Sequence, residues 1–104
     1  MGTQAVPIFK LIEKMVKKVI KMSASWCMPC KVYAKTFDAV KNEDKYKDIE
    51  FEEFDVDENE DLAIEYGVRG VPTTVILDEN DKVVLKFTGN VSKSVLESNI
   101  DEVL

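Results

Sequence analysis

Two cysteines, Cys27 and Cys30, are the only cysteines of this 104-residue chain, and they belong to one Cys-x-x-Cys motif. An apolar run over residues 19–22 leads into the motif, and apolar side chains at helical spacing follow it over residues 32–40. The first cysteine is therefore expected where a strand ends and a helix begins. This junction constrains the fold and the chemistry of the chain more than any other stretch, because it holds two thiols within one helical turn.

A helix N-terminus favours the ionised form of a thiol. The first N–H groups of a helix have no partner within it, and the peptide dipoles add up to partial positive charge there. A thiolate at this place has a pKa below the ~8.5 of a free cysteine. Cys27 is therefore a candidate nucleophile, and Cys30 could attack the disulfide that Cys27 forms. A plain structural disulfide is the alternative, disfavoured because so short a loop stabilises least in the chain-entropy model.

Hydrophobic periodicity and turn residues predict the order of elements along the chain. We predict a helix over 7–15, a strand over 16–24 and a helix from Cys27 or Met28 to Asn42. A polar connection over 41–48 leads to a strand over 49–56 and then to a helix closed by Gly67. Strands over 73–77 and 82–87, joined by a turn, precede a last helix capped by Ser92. This order predicts an α/β fold with a mixed sheet and helices on both faces.

Composition excludes several classes of function. A net charge of −6 argues against non-specific nucleic-acid binding. The absence of histidine excludes a Cys-His hydrolase and a histidine metal site, and two cysteines alone do not complete a structural zinc site. No run reaches the ~18 apolar residues of a membrane span. We expect a single domain over residues 1–104, without membrane contact, in the reducing cytoplasm.

Residues around the cysteines resemble the thioredoxin family. The family pattern Trp-Cys-x-Pro-Cys-Lys is present at Trp26–Lys31, a Gly-Val-Arg-Gly-Val-Pro-Thr stretch ends at Thr73, and Gly89 precedes the last helix. The resemblance aligns without gaps from about Val19 to Leu104. It implies the thioredoxin fold, with a mixed four- to five-stranded sheet and helices on both faces. The N-terminal strand is expected to be short or missing, because few residues precede the first predicted helix.

The resemblance also implies a function: a thiol-disulfide oxidoreductase that reduces protein disulfides. Cys27 would be the exposed, attacking thiol and Cys30 the more buried, resolving thiol, with no cofactor and no metal. The implied partners are disulfide-containing protein substrates and an electron-donating reductase, and a monomer is expected. The alternative is a non-catalytic interaction module of the same fold, which would not need the cysteine pair.

Further residues are implied to contact the substrate. They are Trp26, Met28, Pro29, Val71, Pro72 and Gly89. In thioredoxins the proline at the position of Pro72 is cis and packs beside the cysteines, so that the preceding backbone can pair with a substrate segment. Met28 stands where most thioredoxins have glycine, and it adds a soft apolar side chain.

Two charged residues depart from the family pattern. Thioredoxins usually have a buried aspartate where this chain has Lys21, and a lysine where it has Glu53. We predict a Lys21–Glu53 ion pair behind Cys30, because alternation along the strand places Glu53 on the inward face with Phe51 and an unpaired buried charge is costly. Glu53 is then the candidate proton acceptor for Cys30, and Lys21 is its charge partner.

Overall fold

A computed structural model describes residues 16–104 of the protein. Its elements are strand β1 (Lys18–Ser23), helix α1 (Met28–Lys41), a 3-10 turn (Asp44–Tyr46), strand β2 (Glu50–Asp55), helix α2 (Glu60–Glu65), strands β3 (Thr73–Leu77) and β4 (Val83–Thr88), and helix α3 (Lys93–Val103). Apart from the 3-10 turn, the predicted elements after residue 15 are present in the predicted order. The helix predicted over 7–15 and any strand before it lie outside the described residues.

The four described strands form one mixed sheet in the order β2-β1-β3-β4. Strand β1 pairs with β2 in parallel and with β3 antiparallel, and β3 pairs with β4 antiparallel. The central position of β1 and β3 explains their nearly continuous apolar sequence, since side chains on both faces are covered.

Helices cover both faces of this sheet. Alternation along β1 turns Val19 to the face covered by α1 and α3, where it shares a core with Phe37 and Leu96. Ile20 points to the opposite face, where Leu62 of α2 packs near it. The predicted thioredoxin fold, with helices on both faces of a mixed sheet, is confirmed.

The end of α2 is fixed before the chain turns toward the site. Gly67 adopts a φ of +67°, a left-handed conformation that ends the helix as the sequence predicts. The Nζ of Lys86 on β4 donates to the carbonyl oxygens of Tyr66 and Gly67, at 3.3 and 2.9 Å. The lysine thus binds the negative end of α2 and anchors the loop that follows it.

The connection after α1 is less polar than its sequence predicts. Tyr46 in the 3-10 turn is buried in the core beside Phe51, and its hydroxyl donates to Asp101 Oδ1 on α3 at 2.8 Å. A lone aromatic among charged residues gives no periodic signal, so this anchor was missed.

Candidate active site

Both cysteines lie where β1 runs into α1. Cys27 is the residue before the helix, and its Sγ accepts a hydrogen bond from the backbone N–H of Cys30 at 3.1 Å. Pro29 occupies the first turn, where a missing donor costs nothing. The two sulfurs form a disulfide, with their Cα atoms 5.3 Å apart. The structure therefore describes the oxidised state of the pair.

The two cysteines are buried to nearly the same degree, with 4% of Cys27 and 3% of Cys30 exposed. The expectation that Cys27 is clearly the more exposed is wrong for this oxidised state. Ala24 is buried with the pair, and Val56 and Val71 pack against them. These side chains come from the ends of β1 and β2 and from the loop before β3, so they enclose the disulfide on several sides.

Residues of the Val71–Pro72 loop lie beside the attacking sulfur. Cys27 Sγ is 3.8 Å from the carbonyl oxygen of Val71, within reach of a thiol hydrogen once the disulfide is reduced. The Val71–Pro72 peptide bond is cis. Gly89, with a φ of +120°, donates its N–H to the Pro72 carbonyl at 2.8 Å. The fold thus brings together segments that are far apart in sequence.

The rim of the site is formed by two exposed side chains, Trp26 at 68% and Met28 at 65% exposure. The indole Nε1–H of Trp26 donates to Asp57 Oδ2 at 2.9 Å, which fixes the orientation of the ring. No motif in the sequence assigns Asp57 to the site. Its contact with Trp26 spans 31 residues, and no local pattern could have revealed it.

A shallow pocket of about 180 Å³ opens beside Trp26. Its lining is largely apolar and consists of Trp26, Val56, Ala63, Val68, Arg69, Gly70 and Val71. Arg69 is the only arginine in the chain, and no motif in the sequence marks it as a site residue. Val56 and Val71 line this pocket and also pack against the cysteines, so the pocket adjoins the disulfide.

The ion pair between Lys21 and Glu53 is present, with Nζ and Oε2 at 3.5 Å. Lys21 is buried, and its ammonium also lies 5.4 Å from the centroid of the Phe37 ring. Glu53 meets the buried Lys21 on the predicted face of the strand, but it is not itself buried, because 57% of its side chain is exposed. Strand β2 is the outermost strand on its side of the described sheet, so the carboxylate reaches water where Phe51 still packs on the core.

A second buried polar contact was missed from the sequence. The hydroxyl groups of Tyr33 on α1 and Thr74 on β3 are 2.6 Å apart. Burial raises the pKa of Tyr33 to about 12, and the hydrogen bond with Thr74 acts in the opposite direction. Tyr33 was predicted only as part of the apolar face of the helix, because periodicity does not report what a hydroxyl contacts.

Within residues 16–104, no cluster of three or more potential ligands is arranged to hold a metal ion. None of the helices in this part of the chain is long and apolar enough to cross a bilayer. The two sulfurs of the Cys27–Cys30 pair can exchange a disulfide between themselves and a partner.

Comparison with known proteins agrees with the family resemblance seen in the sequence. The thioredoxin family model matches residues 5–102. A thioredoxin from Ovis aries is 37% identical over 92 residues, which cover 88% of this chain and 82% of that protein. The chloroplastic thioredoxin F1 of Arabidopsis thaliana is 45% identical over 85 residues, covering 80% of this chain and 45% of that protein. Among such relatives the chain spans from 44% to 82% of their length.

Solved structures agree with the curated relatives. The thioredoxin of Malassezia sympodialis superposes with a TM-score of 0.77 at 30% identity, over 91% of this chain and 82% of that one. The similarity therefore extends over the sheet and the helices on both of its faces.

Proposed function

The chain belongs to the thioredoxin family of thiol-disulfide oxidoreductases, and on that premise we propose that it reduces disulfide bonds of partner proteins through Cys27 and Cys30. The hydrogen bond from the Cys30 N–H to Cys27 Sγ, at 3.1 Å, is the observation that most directly supports this role. The same donor would stabilise a thiolate at Cys27 in the reduced protein, because hydrogen bonds to the charged form favour it.

Reduction of a substrate takes two exchange steps. The Cys27 thiolate attacks one sulfur of the substrate disulfide, bonds to it and expels the other substrate sulfur as a thiolate. Cys30, having lost its proton, then attacks Cys27, expels the second substrate sulfur and restores the internal disulfide. Two electrons pass from the protein to the substrate, and an electron-donating reductase returns them. Neither step needs a bound cofactor or a metal.

Glu53 is our candidate acceptor for the proton that Cys30 loses. Lys21 as an ammonium cannot accept a proton, whereas a carboxylate can. The exposure of Glu53 favours transfer through water over direct contact. We expect Glu53→Gln to slow release of a mixed disulfide several-fold while leaving the first attack unchanged, as measured by stopped-flow fluorescence. Equal resolution rates in the two proteins would remove Glu53 from this role.

The substrate segment is proposed to lie across the rim beside the disulfide. Trp26 and Met28 offer exposed apolar surface on either side of Cys27. Pro29, Val71, Pro72 and Gly89 complete the contact surface in this proposal. The backbone of Val71, whose carbonyl faces Cys27 Sγ, would pair with an extended stretch of substrate.

Insulin reduction by dithiothreitol tests the activity, with precipitation of the freed chains as the readout. The wild type should accelerate it and Cys27→Ser should abolish the acceleration. Cys30→Ser should retain the first attack but accumulate mixed disulfides. Continued turnover by Cys30→Ser would contradict the resolving role. A wild type without acceleration would instead favour the non-catalytic interaction module.

We further propose a single-domain, monomeric protein of the cytoplasm, where dithiol reductants keep thiols reduced. Two relatives, from Arabidopsis thaliana and Brassica napus, are named as chloroplastic. Light scattering during gel filtration tests the monomer, and fractionation of the source cells tests the compartment.

A further inference from the structure

A buried hydroxyl pair, Tyr33 and Thr74, lies in the protein interior and has no part in the two exchange steps. Both residues are almost fully buried, at 0% and 1% exposure, and their oxygens are 2.6 Å apart. Burying two hydroxyls costs free energy that their mutual hydrogen bond only partly offsets. An apolar pair of the same shape would stabilise the core as well or better, so the hydroxyls call for a role beyond packing.

The pair lies on the α1 side of the sheet, one helical turn along α1 from Cys30. Tyr33 follows Cys30 by three positions, so both side chains lie on the same face of α1. Thr74 is the second residue of β3 and follows Pro72 by two positions. The hydrogen bond therefore ties the helix that carries Cys30 to the strand that follows Pro72.

A buried positive charge lies beside this pair. Lys21 is the register partner of Thr74 in the β1–β3 ladder, so the two side chains emerge side by side from the same face of the sheet. Lys21 is 2% exposed, and it is the one lysine among the buried residues of the described chain. We refer to Lys21, Tyr33 and Thr74 together as the polar layer.

We propose that the polar layer keeps the buried Cys30 thiol ionisable and thereby sets the rate at which Cys30 resolves the mixed disulfide. A thiol in purely apolar surroundings resists ionisation, which would make Cys30 a slow nucleophile. Hydroxyl dipoles and an ammonium on the same side of the helix favour the thiolate. These three are positioning residues that act through Cys30, and the inference rests on the function proposed above.

Other charged groups near the disulfide are less able to do this. On the surrounding elements they are Lys31 and Lys35 of α1, Glu53 and Asp55 of β2, Asp57 after β2, and Arg69 before β3. All are exposed except the half-buried Asp55, so water weakens their direct effect on Cys30, and Glu53 acts there mainly by offsetting part of the charge of Lys21. Asp55 opposes ionisation of Cys30, and its Oδ1 accepts the backbone N–H of Asp57 at 2.8 Å.

The experiment is a pH titration of the reduced protein, with cysteine labelled by ¹³C at Cβ and followed by NMR. It reports ionisation of Cys30 without any substrate, so its outcome is independent of the reductase activity. Tyr33→Phe and Thr74→Val should each raise the pH of half-ionisation by about one unit, which slows resolution at neutral pH about tenfold. The first attack by Cys27 should be unchanged.

Two controls separate this role from packing. Tyr46→Phe removes a hydroxyl from an equally buried tyrosine that contacts α3 instead of the disulfide region, and it should titrate like the wild type. Thr74→Ser keeps the hydroxyl and loses only a methyl group, so it should restore the wild-type titration even if Tyr33→Phe fails to fold. An unshifted Thr74→Val titration, or equal shifts in Thr74→Ser and Thr74→Val, would overturn the proposal.

Discussion

Among single residues, Lys21 and Glu53 depend on their ion pair to different degrees. The side chain of Lys21 is 3% exposed, whereas that of Glu53 is 57% exposed. If the carboxylate is removed, the buried ammonium loses its ion-pair partner among residues 16–104 and keeps its contact with the Phe37 ring. If the ammonium is removed, the carboxylate remains hydrated. The pair therefore serves mainly to keep a positive charge in the interior.

This asymmetry predicts that Glu53→Gln lowers the free energy of unfolding by about 1–2 kcal/mol, because it strips a buried charge of its partner. Lys21→Met should cost less, since an apolar chain of similar length fills the same space. Urea denaturation measures both. Asp38→Asn is the control, because its partner Lys41 is 44% exposed and should lose no more than about 0.5 kcal/mol. If Glu53→Gln lowered the free energy of unfolding no more than Asp38→Asn does, Glu53 would not be stabilising the buried charge of Lys21.

Among the elements, α3 is docked onto the body partly through carboxylates. Glu97 on α3 approaches Glu43, which follows α1, and Glu43 also pairs with Lys93 at 3.5 Å. Hydrogen bonding with Glu43 raises the pKa of Glu97, and burial and repulsion from the same neighbour add to the shift. The contact between α3 and Glu43 is therefore most favourable when one of the two carboxyl groups is protonated.

A raised pKa in the folded protein means that Glu97 stabilises the fold at low pH and that this contribution is lost as the pH rises through the folded value. Glu97→Gln should therefore stabilise the protein relative to wild type at pH 7, and the advantage should vanish near pH 4. Unfolding curves of both proteins across that range measure the difference. Glu102→Gln, on the same helix, is the control. If the free energies of unfolding of Glu97→Gln and wild type differed by the same amount at all pH values, the pKa of Glu97 would not be raised in the folded protein.

In the whole molecule, the redox state and the stability are linked. Closing the four-residue loop from Cys27 to Cys30 restricts the unfolded chain by about 2 kcal/mol in the chain-entropy model. We expect the oxidised protein to be more stable than the reduced one by about this amount, as measured by denaturation with and without dithiothreitol. Cys30→Ser should show no such dependence. A reduced form more stable than the oxidised one would indicate an oxidant in place of a reductant.

Much of this molecule could be predicted from its sequence, for identifiable reasons. Strands β1 and β3 carry short apolar runs, and Gly67 and Ser92 mark helix ends, so the elements were placed within a few residues. Contacts between distant side chains, such as Trp26 with Asp57, leave no periodic trace. The exposure of Glu53 was missed because alternation gives the face of a residue but does not show how far the neighbouring elements cover it.

The nearly complete cover over Cys27 also decides which molecules can exchange electrons with the protein. A small thiol such as dithiothreitol can attack only the small exposed part of Cys27, which is 4% exposed, and it gains no contact with the rim, so it reacts more slowly than a fitting protein. A protein that fits against Trp26 and Met28 can bring its own disulfide close enough to react. The burial of Cys27 therefore favours exchange with proteins that fit the rim over exchange with small thiols.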